Sequence, residues 1–184
     1  MIIEKTMSIL DEIKEVLKHT SDQDTEKLIK EIQKANKIVC CGAGRVGMAL
    51  KGFAMRLGHF GYNAYNLGDT TVPSIGKGDL FIVASGSGET QTIYDLVSIA
   101  KKNKAMIFLF TGNPDSRMGV LADEILKINA PSKTKAVKGF KSIQPMTTLN
   151  EQSLAILFDA IVLCIMEKTG ENHDTMWDRH SNLE

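Results

Sequence analysis

Five short apolar segments recur through the middle of the chain: "KIVCCGAG", "NAYNLG", "DLFIVASG", "AMIFLFTG" and "EILKINA". Most close on glycine, and the stretches between them, about 15 to 20 residues long, are mostly helical in pattern. Strands alternating with helices predict βαβ units and a parallel sheet covered on both faces. Such a sheet presents ligands at the carboxyl ends of its strands, so the glycine-bearing loops are where chemistry is expected. Ahead of this core, Ile3, Met7, Leu10, Ile13, Val16 and Leu17 fall at helical spacing, and a second helix is expected to run to about Asn36. Behind it, "PSKTKAVKGFKSIQPM" reads as a long polar loop, followed by a long helix over about Thr148–Thr169 and a polar tail. The 184 residues suit one domain. Its parts are helices over 1–36, a βα core over 37–130, a loop over 131–147, and a helix with its tail over 148–184.

Charge narrows the partners. Lys plus Arg equals Asp plus Glu at 22 each, with no basic cluster, which argues against nucleic acid or an anionic membrane surface and leaves small anions open. Three cysteines cannot all pair internally; Cys40 and Cys41 sit in an expected buried strand and Cys164 in an apolar helix, as in a reducing cytoplasm. "MIIEKTMSIL" is amphipathic rather than a signal peptide. The longest apolar run, "LAILFDAIVLCIM", carries Asp159, so no bilayer span is expected. Four scattered histidines make no metal signature.

Two of the loops are informative. Gly42-Ala-Gly44-Arg-Val-Gly47 spells G-x-G-x-x-G between a strand and a helix, the arrangement that holds phosphate at a helix N-terminus. A dinucleotide site also calls for an acid about 20 residues on. Asn66 stands near that place and Asp69 lies past a glycine, and little chain remains for a hydride-acceptor domain. The second loop, "SGSGETQT", combines the hydroxyls of Ser85, Ser87 and Thr90 with glycines and a following helix. Hydroxyls and amides converging there suit a phosphate monoester.

These residues, with "FAMRLGHFG", "SIQPM-TL-EQ" and the terminal "RHSNLE", resemble the 6-phospho-3-hexuloisomerases of the sugar isomerase (SIS) domain family across nearly the whole chain. The resemblance implies an α/β fold, a three-layer αβα sandwich with a five-stranded parallel sheet (a flavodoxin-like SIS domain) and extra N- and C-terminal helices. It implies a carbonyl shift between C3 and C2 of a hexulose 6-phosphate, giving fructose 6-phosphate, within ribulose monophosphate metabolism. A cytoplasmic homotetramer with no cofactor and no metal follows from it too. Its phosphate loop falls on Ser85, Gly86, Ser87, Gly88, Glu89 and Thr90, its glutamate base on Glu151, and its first-loop substrate contact on position 46, here Val46; Gly44 and Arg45 of the same loop are further candidates for binding substrate or phosphate. The sequence departs from the family pattern with Val46 for serine, Thr147 for glycine and Asn150 for an aromatic residue.

A ketose–ketose shift removes a proton beside a carbonyl and returns it to the neighbouring carbon. One carboxylate can do both through a cis-enediol, and Glu151 stands at the start of the long helix for that work. Its other reading is a first-turn glutamate that stabilises the helix. Glu89 is expected to turn away or to cap locally, because its charge would repel a phosphate. Arg45 is either a stabiliser of the enediolate or a surface ion-pair partner. His59 matches a family histidine that can open a cyclic substrate or relay a proton, or else it satisfies helix C-terminal carbonyls. His180 either closes a neighbour's pocket or is a solvated tail residue. Rival functions are another sugar-phosphate isomerase, of the arabinose 5-phosphate type, and a non-catalytic sugar-phosphate sensor.

Overall fold

The computed structural model describes residues 1–132, 137 and 140–183; residues 133–136, 138 and 139 of the expected loop, and residue 184, lie outside it. Five parallel strands, β1 (Ile38–Gly42), β2 (Ala64–Asn66), β3 (Leu80–Ala84), β4 (Met106–Thr111) and β5 (Glu124–Lys127), lie in the order β2-β1-β3-β4-β5. The order reverses between β1 and β3, which opens the crevice where open α/β sheets bind ligands. The strands read as continuous apolar runs because both faces are covered. Ile38, Cys40, Ile82, Phe108 and Phe110 face one core; Val39, Cys41, Phe81, Val83 and Leu109 face the other.

The first core is roofed by α1 (Ile2–Leu17), α2 (Asp22–Lys34), α3 (Gly44–His59) and α6 (Thr148–Thr169). The second is covered by α4 (Gln91–Lys102) and α5 (Arg117–Leu121), and α7 (His173–Trp177) closes the chain. Phe158 of α6 stacks on Phe53 at 4.8 Å between ring centroids and meets the edge of Phe110 at 5.1 Å. Truncating such a ring to alanine costs about 3–5 kcal/mol.

Two expectations need correction. The β2–β3 connection, residues 67–79, forms turns rather than a helix. Gly68, Pro73, Gly76 and Gly78 interrupt it, while Val72 and Ile75 pack on the second core. Its end is fixed by Asp79, whose carboxylate accepts the Gly76 N–H at 2.8 Å and pairs with Lys37 at 3.1 Å. The second correction concerns α6, a helix of 22 residues that is long and apolar enough, by length and composition, to cross a membrane. Half of its apolar window is buried, and it packs along α3 with one face against the first core.

Candidate active site

A cavity of about 280 Å³ opens at the carboxyl ends of β1 and β3. Three helices begin on it: α3 through Gly44, Arg45 and Val46, α4 through Thr90 and Ile93, and α6 through Thr147, Asn150 and Glu151. Helix N-termini carry unpaired N–H groups and the positive end of the macrodipole, so three of them on one cavity favour an anion there. The G-x-G-x-x-G glycines serve this turn sterically. Gly44 opens α3 at φ 58°, a left-handed conformation that suits glycine, and a Cβ on Gly47 would lie 2.4 Å from the Gly42 carbonyl oxygen.

The second loop supplies the hydroxyls. Ser85 Oγ accepts the Gly88 N–H at 3.2 Å, and Ser87 Oγ accepts the Glu89 N–H at 3.2 Å. Each oxygen is thereby fixed as an acceptor, and its own proton remains available to donate to a bound anion. Ser85, Gly86, Ser87 and Thr90 all line the cavity.

Glu151 faces them across the cavity. Its Oε1 accepts from Thr147 Oγ1 at 2.8 Å, and its Oε2 pairs with Arg45 Nε at 2.8 Å. The carboxylate is therefore held by one neighbour on each oxygen, one from α3 and one from the start of α6. Thr147 follows Met146, which lines the same cavity at φ 55°, a left-handed conformation uncommon for a side-chain-bearing residue. The three positions at which the sequence departs from the family pattern, 46, 147 and 150, all line this cavity.

Residues 31–156 match the SIS domain. The chain belongs to the SIS domain family. The 3-hexulose-6-phosphate isomerase of Bacillus subtilis (strain 168) is 38% identical over 181 residues, spanning 98% of each chain. That of Mycobacterium gastri is 37% identical over 176 residues, 96% of this chain and 88% of its own. A solved structure from Methanococcus jannaschii, inferred to be a 3-hexulose-6-phosphate isomerase, is 31% identical with a TM-score of 0.83, covering 98% of this chain and 99% of its own.

Not every residue expected at the site of this SIS domain lies there. Gly88 and Glu89 belong to the loop but do not line the cavity. Glu89 turns outward, accepting from Arg117 N at 3.0 Å and Arg117 Nε at 2.8 Å. Hydrogen bonds from the Arg117 backbone and guanidinium hold its carboxyl below the usual value. An outward-turned carboxylate leaves the loop over residues 85–90 without a charge that would repel an anion.

His59 and His180 are also elsewhere. They line a second cavity, of about 290 Å³, with Arg56, Val162, Met166, His173, Met176 and Trp177. His59 ends α3, and 15 residues of helical rise put it about 22 Å along the axis from Gly44. Its ring lies 5.2 Å from that of His180, which stacks on Trp177 at 4.9 Å. Arg179 pins the tail there, donating to the His59 carbonyl at 3.0 Å and pairing with Glu171 at 3.0 Å. A single protomer does not bring these histidines to Glu151.

The cysteines take no part in this geometry. Burial pushes the Cys40 thiol far up and the Cys41 thiol up to about 12, which keeps both protonated and inert. Among the described residues no group of three or more His, Cys, Asp or Glu side chains is placed to hold a metal.

Sequence reading missed one anchor of the site. Glu12, on α1, accepts from Ile143 N at 2.7 Å, Ser142 Oγ at 2.7 Å and Gln144 Nε2 at 2.9 Å, fixing the segment that leads into Met146 and Thr147. No local signal marks it, since its partners lie about 130 residues away in sequence.

Proposed function

We propose that the protein is a 3-hexulose-6-phosphate isomerase, interconverting D-arabino-hex-3-ulose 6-phosphate and fructose 6-phosphate. One observation carries the reading: a carboxylate held on both oxygens faces a hydroxyl-rich anion loop across one small cavity. Relatives sharing nearly the full length bear that activity as their name.

In the proposed reaction the phosphate rests against Ser85, Ser87, Thr90 and the α4 N-terminus. Glu151 takes the proton from C2, the C2–H electrons form the C2=C3 bond, and the C3 carbonyl oxygen becomes an enediolate. Glu151 then delivers the proton to C3, the C2 hydroxyl proton passes to the C3 oxygen, and the C2 oxygen becomes the carbonyl. Arg45, already beside Glu151, places a cation where the enediolate charge develops. Thr147 orients the base. The reaction is redox-neutral within the substrate and needs no external electron acceptor.

The proposal extends to a homotetramer in the cytoplasm. Met48 and Met55 on α3, and Ile156 and Leu163 on α6, are exposed apolar residues two turns apart on each helix, the pattern of a face that another subunit covers. In that assembly His59 and His180 serve the cavity of a neighbouring subunit. Cysteines that form no disulfide, Cys40 and Cys41 buried and Cys164 half-buried, suit a reducing compartment.

A coupled assay tests the activity: hexulose phosphate is formed enzymatically from ribulose 5-phosphate and formaldehyde, and fructose 6-phosphate is followed with and without chelator. Turnover that is insensitive to chelator is expected. Tight sugar-phosphate binding without turnover would instead make the protein a sensor.

A further inference from the structure

Two consecutive residues of α6 line the cavity in opposite states. Glu151 is held on both oxygens, whereas Asn150 is held on neither side. Asn150 is 1% exposed, and neither its Nδ2 nor its Oδ1 has a hydrogen-bond partner. An unpaired buried amide destabilises the fold, and native structures leave few of them. This one lines the ligand cavity between the base and the anion loop. It also lies against the loop itself: a Cβ built on Gly86 would come within 3.0 Å of Asn150 Nδ2. The glycine at 86 gives the amide its room.

We propose that Asn150 is a substrate-binding, specificity-determining residue whose amide pairs with sugar hydroxyls between the phosphate and the reacting carbons. The inference rests on the sugar-phosphate reading above. A phosphate oxygen only accepts, so it satisfies Nδ2 and leaves Oδ1 facing an anion. A hydroxyl donates and accepts, and two adjacent hydroxyls satisfy both atoms of the amide. With the phosphate on residues 85–90 and C2 and C3 at Glu151, the hydroxyls on C4 and C5 pass Asn150. A ligand lacking them leaves the amide buried and unpaired, and such sites reject the deficient analogue strongly.

Ser153 provides the control. It is one turn further along α6, fully buried, and its Oγ also has no partner, but it does not line the cavity. The experiment measures affinity for fructose 6-phosphate and for inorganic phosphate by calorimetry, with Tm, in wild type, Asn150→Leu, Asn150→Ala and Ser153→Ala. Asn150→Leu should weaken fructose 6-phosphate about tenfold or more, leave inorganic phosphate unchanged and not lower Tm, because an apolar group of similar shape replaces an unpaired amide. Asn150→Ala, which cannot overpack the site, should show the same selective loss, and Ser153→Ala should bind as wild type. Equal losses for both ligands would put Asn150 on the phosphate and overturn the inference. Unchanged fructose 6-phosphate affinity would overturn it too, whatever the Tm. If wild type turns over and the Asn150 variants match it, this inference falls alone. If wild type neither binds nor isomerises, the proposed function falls and takes this inference with it.

Discussion

The two cavities are of nearly equal size, about 280 and 290 Å³, and lie at opposite ends of the same two helices, α3 and α6. Both helices start at the first cavity and end toward the second, so their macrodipoles add at each end. The starting end gathers glycines, hydroxyls and an arginine, which suits an anion. The finishing end gathers Arg56, His59, His173 and His180, cationic or protonatable groups that belong where carbonyls point. One helix pair thus sorts the chemistry by its polarity. In one protomer Glu151 and the histidines are separated by the length of α3, and the proposed assembly is what would bring them to one substrate.

The sharpest way to break this division is at Glu151. Glu151→Gln preserves the shape and removes the base, so turnover should fall by about 10²–10⁴ while sugar-phosphate affinity stays close to wild type. The matching change at Glu89 should leave turnover largely intact, because Glu89 is occupied with Arg117 outside the cavity. A dead Glu89→Gln and an active Glu151→Gln would relocate the base.

The second cavity is tested by mixing subunits. His59→Gln, or deletion of residues 176–184, should lower activity on its own. Co-assembling His59→Gln chains with Glu151→Gln chains should restore part of it, since some cavities would then combine a sound base with a sound neighbour. No recovery in mixed oligomers of normal size would return the histidines to a purely structural role.

Much of this arrangement was legible in the chain. The apolar runs at 38–42, 80–84 and 106–111 read as buried strands because each face of the sheet has its own helical layer. Ser85–Thr90 and Glu151 were found by motif, and the structure sets most of them on one cavity. The β2–β3 segment misled, because Val72 and Ile75 are apolar for packing and not for helical periodicity. The clamp at Glu12 and the unpaired state of Asn150 were invisible, since each depends on what a distant segment brings or fails to bring.

Smaller effects refine the first cavity. Val46 is 9% exposed and lines it, so Val46→Ser should add one hydrogen bond to the ligand and tighten binding by about 1 kcal/mol. An unchanged Michaelis constant would show that this side chain packs away from the substrate. The smallest expected change is at Glu12. Burial alone would raise its carboxyl, but hydrogen bonds from Gln144, Ile143 and Ser142 together hold it below the usual 4.5. A lowered folded-state value stabilises the clamp above pH 4.5, and that stabilisation is lost as pH falls through the lower value. Hydrogen exchange at the Ile143 amide should therefore lose protection on acidification, and Glu12→Gln should remove that pH dependence while raising KM a few-fold. Exchange with the same pH dependence in wild type and variant would show that Glu12 does not govern the segment.

The proposed proton transfer by Glu151 can be tested directly in heavy water. With fructose 6-phosphate saturating the protein, NMR should show the C3 hydrogen of the sugar replaced by solvent deuterium in wild type. In Glu151→Gln, equally saturated, that hydrogen should persist, with exchange slower by about 10²–10⁴. Undiminished exchange in Glu151→Gln would contradict the assignment of the base.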